Sequence, residues 1–223
     1  MLEKRIYIKS KEYPKSLKNI ADPPKEIYCI GNLDLLNFPC VTIVGTRAMT
    51  KYGQKVVENF LVEELNNLDI VFVSGLAKGI DTQVHSCCLK NGLKTIAVVA
   101  GGIDVGYPKS NIELYKRISK EGLVISEYPR GFRLEKYMFP RRNRIMVGLS
   151  NSVVVIESKA KGGSLITAQL ALDYNRDLYA IPGDIDKNSS QGCNILIQAG
   201  AFPIASRDDF FRIIGIENGQ IKM

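Results

Sequence analysis

The sequence predicts an α/β protein: a single Rossmann-like domain with a doubly wound, mostly parallel sheet. Three observations predict it. Short, continuous apolar runs rich in valine and isoleucine recur along the chain, stretches with helical apolar spacing lie between them, and the runs end at polar or glycine-bearing loops. Continuous rather than alternating apolar character marks strands covered on both faces. Strand–helix alternation then implies right-handed crossovers, with ligands at the carboxyl ends of the strands.

Taken in order, residues 1–38 carry Pro14, Pro23 and Pro24 and one strand candidate, IYCIG (27–31), and are expected to form an N-terminal extension or edge strand. The Rossmann-like domain is expected over 39–213. Its first strand is VTIVG (41–45), followed by a helix over 52–67 in which Val56, Phe60, Leu61 and Leu65 recur on one face. The runs IVFVSG (70–75), TIAVVAGG (95–102), LVISE (123–127), SVVVIE (152–157) and LYAIPG (178–183) are rich in β-branched residues and too short for helices. After AFPI (201–204), Ser206 is placed to cap a helix, and residues 214–223 read as a loose tail.

A chain of 223 residues suits one large domain, and 45% hydrophobic with 24% charged residues is ordinary for a globular protein. The net charge of +7 favours a polyanionic partner. Cys29, Cys40, Cys87, Cys88 and Cys193 form no C-x-x-C pair and read as buried thiols in a reducing cytoplasm. With His85 the only histidine, a His-rich metal site is excluded, and a Ser–His–Asp triad would have to run through a residue more often packed in a helix. No run approaches the roughly 20 apolar residues of a membrane span, and the N-terminus lacks a signal-peptide core, so a cytoplasmic location is expected. Nothing calls for a metal, a cofactor or a catalytic residue.

The strand-end loops carry the chemistry. VGTRAMTKYG (44–53) offers backbone N–H groups, the hydroxyls of Thr46 and Thr50, and the Arg47 guanidinium to an anion after Gly45; the competing roles are an ion pair for Arg47 and a helix cap for Thr50. VSGLAKGID (73–81) places Ser74, Gly75 and Gly79 where the backbone can approach a phosphate, with Asp81 more naturally a helix cap. Neither loop is a G-x-G-x-x-G or Walker A motif. AGGIDVGYPKSN (100–111) shapes the pocket, and Tyr107 and Lys109 are secondary contacts. The segment 126–150 interleaves Arg130, Arg133, Lys136, Arg141, Arg142 and Arg144 with Tyr128, Phe132, Tyr137 and Phe139. Positive charge tracks a phosphate backbone while exposed rings stack on bases of any identity. Lys136, Phe139 and Arg141 are counted as contacts, whereas Arg142, Asn143 and Arg144 at the start of an apolar helix are expected to be structural. Gly162, Gly163 and Ser164 open a helix as a second anion nest beside Lys161 and Thr167, or as a tight turn capped by Ser164. The loop 181–201 is again polar and glycine-rich.

The ordered set VGTRAMTKYG, SGLAKGID, GGIDVGYPKSN, ISEYPRG, FPRRNRIMVGLS, GGSLITAQLA and IPGDI with SSQGCNILIQAGA resembles the DNA processing protein A (DprA/Smf) family over about residues 13–205. The resemblance implies a cytoplasmic, non-catalytic Rossmann-like protein that binds single-stranded DNA without sequence preference and passes it to the RecA recombinase in natural transformation. By matching position, the DNA-contacting arginine, lysine and aromatic residue fall on Arg47, Lys136 and Phe139. Gly45, Thr46, Ser74, Gly75, Lys78, Gly163 and Ser164 would complete the anion surface. The resemblance also implies a homodimer through the C-terminal part of the domain, here Gly192 to Phe211 with Ile195, Leu196 and Phe202. The chain is too short for the helical or winged-helix domains that many members add, so the core alone is expected. The rival reading is a nucleotide-binding sensor, or a nucleotide-processing enzyme of the lysine-decarboxylase-like group; KAKGGSLITAQLA lacks the glycine-threonine step and the helix glutamate of those enzymes.

Overall fold

The computed structural model describes residues 2–217 and 220–221. The strands are β1 (Glu3–Tyr7), β2 (Glu26–Gly31), β3 (Cys40–Val44), β4 (Val71–Ser74), β5 (Thr95–Val98), β6 (Leu123–Ser126), β7 (Ser152–Val155), β8 (Asp177–Ala180) and β9 (Phe202–Pro203). They form a nine-stranded sheet in the order β1-β2-β6-β5-β4-β3-β7-β8-β9. From β3 to β9 every pairing is parallel, while β2 runs antiparallel to both β6 and β1. The fold class expected from the sequence is the one observed, and all six apolar runs are strands.

The helices are α1 (Lys15–Lys18), α2 (Lys51–Phe60), α3 (Ile80–Lys90), α4 (Ile112–Glu121), α5 (Met138–Leu149), α6 (Ser164–Asp173), α7 (Asn188–Gln198) and α8 (Arg207–Ile213). Because successive strand residues face opposite ways, Val71 and Val73 enter one core with Leu17 of α1, Ile145 and Met146 of α5 and Ala168 of α6. Phe72 enters the other, with Val57 and Phe60 of α2, Ile80 and Val84 of α3 and Phe210 of α8. α4 closes the sheet near β5 and β6, with Ile118 packed on Ala97 and Val124. Ser206 caps α8 in a reciprocal capping box with Asp209, as its position predicts.

Two elements differ from the sequence expectation. The helix expected over 52–67 stops at Phe60, and Glu63–Leu65 form a separate 3₁₀ turn. Leu61 and Leu65 stay buried across the break, and the Asn91 amide takes the Leu61 carbonyl, so the apolar period survives a stop that it cannot reveal. At the N-terminus, EKRIY adds the edge strand β1, so IYCIG lies one strand in from the edge. Only Ile6 of that strand is buried, which leaves no apolar run to read. The tail expected over 214–223 falls partly on residues 218, 219, 222 and 223, outside the described residues; Ile216–Glu217 pairs antiparallel with Gln220–Ile221.

All five cysteines are free and buried, and burial pushes the thiols of Cys29, Cys40 and Cys193 up to about 12. His85 is fully buried in α3, its Nδ1 2.8 Å from the Thr95 hydroxyl. Burial, with the charge of Arg142 adding to it, holds the imidazole down to about 3 against an ordinary 6.5. Between those values the unfolded chain binds a proton that the native state refuses, so stability is complete above the unfolded value and falls as pH drops towards the folded one. We expect unfolding free energy between about pH 6 and 4 to fall more steeply in the wild type than in His85→Gln, by about 1.4 kcal/mol per pH unit. Urea titrations across that range check it, and identical slopes contradict a buried neutral ring.

Candidate nucleic-acid interface

From β3 the chain winds outward through β4, β5 and β6, then crosses back to β7, β8 and β9 on the other side. β3 and β7 are therefore neighbours whose following loops diverge, and a doubly wound sheet opens its binding crevice at such a switch point. A cleft of about 520 Å³ lies there. Gly45, Thr46, Arg47, Phe139, Gly163 and Ser164 of the sequence candidates all line it.

One buried carboxylate holds the first wall. Glu157, the residue after Ile156 at the end of β7, is 1% exposed; its carbonyl accepts from Thr46 N at 2.8 Å, and its carboxylate accepts from the Thr50 N–H at 2.9 Å and hydroxyl at 2.6 Å. Thr50 Oγ1 in turn caps α2 through Tyr52 N and Gly53 N. A Cβ on Gly53 would stand 2.2 Å from Glu157 Oε2, which explains that glycine. Thr50 is thus a cap, whereas Arg47 makes no ion pair among the described residues. Its Cζ lies 5.2 Å from the Phe139 ring centroid, and Phe139 meets Tyr107 at 5.5 Å. An exposed cation on an aromatic face is a weak contact, about 0.5–1 kcal/mol, that leaves the guanidinium edge free for an anion.

The second wall is the start of α5. Arg142 is 6% exposed; Nη1 donates to the carbonyls of Gly75 and Val98, and Nε donates to Asn143 Oδ1. It fits because Gly75 has no side chain: a Cβ there would stand 2.3 Å from Nη1. Burial pulls Arg142 down to about 10, with the charge of Asp81 opposing, and burial pushes Asp81 above the usual carboxylate range. Asp81 accepts from Ala77 N at 3.3 Å, and Asn111 binds the same loop by donating to Leu76 O and Thr82 Oγ1.

The third wall is the N-terminus of α6. Gly163 stands at its N-cap with no side-chain cap, and open space surrounds the Gly163 Cα where a Cβ would lie. Ser164 does not cap the helix; its hydroxyl donates to Ser158 Oγ at 2.9 Å. The N–H groups of Leu165 and Ile166 donate to the carbonyls of Gly162 and Gly163 at 3.1 and 3.2 Å, so those of Gly163 and Ser164 are left without an acceptor among the described residues, at the positive end of a helix.

The remaining candidates are distributed differently. Ser74 is fully buried and spends its hydroxyl on Ile43 O at 2.7 Å, and Gly75 lies beneath Arg142. Lys78, Lys136 and Arg141 are exposed outside the cleft lining. Glu127 holds both Arg141, at 3.3 Å, and the buried Arg144, while Lys136 makes no ion pair among the described residues. Arg142 and Arg144 are buried as expected, but Arg142 also lines the cleft, which sequence position does not reveal. Glu157 was missed as well. Its only signal is a carboxylate directly ending an apolar strand. Among the described residues no three His, Cys, Asp or Glu side chains cluster as metal ligands, and no helix is long and apolar enough to cross a membrane.

Residues 4–215 match the family described as DNA recombination-mediator protein A. DNA processing protein DprA of Streptococcus pneumoniae is 49% identical over 197 residues, covering 88% of this chain and 69% of that protein. The Bacillus subtilis DprA is 42% identical over 216 residues, covering 96% and 72%. The S. pneumoniae DprA crystal structure superposes with a TM-score of 0.89 at 47% identity, covering 94% of this chain and 73% of that one. A Helicobacter pylori DNA processing protein A structure, described as revealing a single-stranded DNA binding mode, superposes at 0.86 with 31% identity and covers 96% of both chains. A molybdenum cofactor binding protein from Rippkaea orientalis, 14% identical over 79% of this chain and 95% of that one, shares the fold alone at a TM-score of 0.54.

The packing around Arg142 is directly testable. Gly75→Ala drives a methyl into a buried guanidinium and is expected to cost about 1–3 kcal/mol. Gly163→Ala meets nothing within 4 Å and is expected to stay within about 1 kcal/mol of wild type. Urea unfolding midpoints that place the two variants together contradict this arrangement.

Proposed function

The chain belongs to the DNA recombination-mediator protein A family, and from that premise we propose that it binds single-stranded DNA without sequence preference in the switch-point cleft. The observation that carries this reading is that Arg47 and Phe139, in contact with each other, line the same cleft as the N-terminus of α6, which has no side-chain cap, with Tyr107 packed against Phe139 beside it. A cation free of ion pairs and a helix N-terminus take phosphates; a half-exposed ring takes the face of any base. Such groups read a strand's backbone and its stacking rather than base edges, which accounts for binding without sequence preference. Lys136, two residues before α5, extends the positive surface; Gly45, Thr46 and Ser164 shape the walls. Ser74 and Gly75 act through backbone position. Lys78 and Arg141 are outer contacts, Arg141 sharing its charge with Glu127.

The role is non-catalytic, delivering the strand to the RecA recombinase in natural transformation. The two buried carboxylates beside the cleft are engaged, Glu157 by Thr50 and Asp81 by the Ala77 N–H. The working unit is a homodimer through the C-terminal part of the domain, where Ile195 and Phe202 are exposed beside the short edge strand β9. A second reading, a mononucleotide sensor, is favoured only by the cleft volume, which matches a small-molecule site.

Fluorescence anisotropy with oligothymidine across a salt series separates the two readings. A strand binder shows log affinity falling with log salt by about 0.7 per phosphate neutralised and only weak mononucleotide binding. Arg47→Ala and Lys136→Ala are expected to weaken binding to every sequence, and Phe139→Ala to cost about 1–3 kcal/mol. Tight, salt-insensitive binding of a mononucleotide overturns the proposal. For the dimer, light scattering should report a monomer for Phe202→Glu with Ile195→Glu, and a wild-type monomer would contradict that interface.

A further inference from the structure

Three aromatic rings near the start of α5 serve no core. Among the described residues Tyr128, Phe132 and Tyr137 belong to none of the three apolar clusters, and none of them lines the cleft. Phe132 is 40% exposed and Tyr137 55%. Tyr128 and Phe132 stack on each other, with ring centroids 4.7 Å and planes 26° apart. The turn that carries them is braced: Ile103 N donates to Tyr128 O, Gly102 N to Phe132 O, Phe132 N to Pro129 O, and Gly131 N to Asp104. A Cβ on Gly102 would stand 2.7 Å from Pro129 O, so the turn closes against a glycine. A fixed, half-exposed ring pair of this kind marks a contact surface rather than packing.

Arg141 is the cation of this patch. Two residues beyond Phe139 on α5, it leaves the helix about 200° round from the ring that lines the cleft. Burial and Glu127 raise the Tyr128 phenol above its ordinary value while Arg141 opposes them, which sets Arg141 beside the stacked pair. Its own side chain is 48% exposed, and its contacts to Glu127 are long, at 3.3 and 3.4 Å. An exposed pair of this kind is weak and yields to a competing anion. Glu127 keeps a second partner, the buried Arg144, when Arg141 leaves.

We propose that Phe132, stacked on Tyr128, forms with Tyr137 and Arg141 a second station for the bound strand, on the other side of the first turn of α5 from the cleft. A base stacks on Phe132, and a phosphate takes Arg141 over from Glu127. The proposal rests on the single-strand reading above and extends it to a nucleotide outside the cleft. Charge selects this occupant, because rings joined to an arginine suit a base with its phosphate, whereas an apolar partner would leave the guanidinium unmatched.

The chain has no tryptophan, so Phe132→Trp places a single fluorophore at the station. Its emission should be quenched by an oligothymidine of about 16 nucleotides but not by one of about 4, short enough for the cleft alone. A single abasic residue moved along the longer strand should restore emission at one position. Phe132→Ala is expected to lower affinity for the longer strand about tenfold and leave the shorter one unchanged. Arg141→Ala should reduce the salt slope of the longer strand by about 0.7, one phosphate contact.

Phe132→Trp that binds the longer strand with unchanged emission overturns the station and leaves binding in the cleft intact. Equal losses for both lengths in Phe132→Ala overturn it too, since general loosening acts on the cleft. If Phe132→Trp does not fold, an unchanged slope in Arg141→Ala decides against the station instead. A wild-type protein that binds neither strand removes the single-strand reading and the station together.

Discussion

The architecture of the cleft depends on the carboxylate of Glu157. It is anchored at the end of β7 and reaches across the switch point to the first turn of α2, so a single side chain ties together the two strands between which the crevice opens. Hydrogen bonds to a buried charged group are worth about 1.5–3 kcal/mol each, more than a neutral cap. The Thr50 hydroxyl both donates to this carboxylate and caps the helix, so cap and clamp form one network. With Thr50 N committed inward, the preceding residues Thr46, Arg47 and Ala48 form the loop at the cleft, and Arg47 turns to the aromatic row instead of to an acid.

A second network, centred on Arg142, positions the opposite wall. Arg142 reaches from α5 to the ends of β4 and β5, and Asn111 reaches from the β5–α4 loop to the β4–α3 loop. These contacts join loops distant in sequence through side-chain donors to backbone carbonyls. Such bonds are directional and lie in a low-dielectric interior, so they hold the loops in place before a ligand arrives. Phe139 stands one turn before Arg142 on α5, and its place between Arg47 and Tyr107 follows from that anchorage.

The surface charge is more selective than composition suggests. Of the basic residues in 126–150, Arg142 and Arg144 are buried, Arg141 shares Glu127 with Arg144, and Arg130 meets Glu3 at 3.3 Å. Lys136 and Arg133 make no ion pair among the described residues. Positive charge free for a polyanion is thus concentrated at a few positions, Arg47 and Lys136 among them.

The parallel sheet and its six core strands were legible because burial on both faces forces continuous apolar runs, and such a run needs no partner to be recognised. The loop candidates were legible for the same local reason: Gly45, Thr46, Arg47, Gly163 and Ser164 sit where those strands end. By contrast, β1 carries a single buried side chain, and the end of α2 leaves its apolar period intact. Only the tertiary structure decided which candidates share one space. It buried Ser74 and Gly75, left Lys78, Lys136 and Arg141 outside the cleft lining, and made Glu157 and Arg142 central. Those assignments depend on which backbone groups a side chain meets across more than 60 residues of chain, as Arg142 meets Gly75 and Glu157 meets Thr50. Such pairings are set by strand order, and the local pattern of the sequence does not encode strand order.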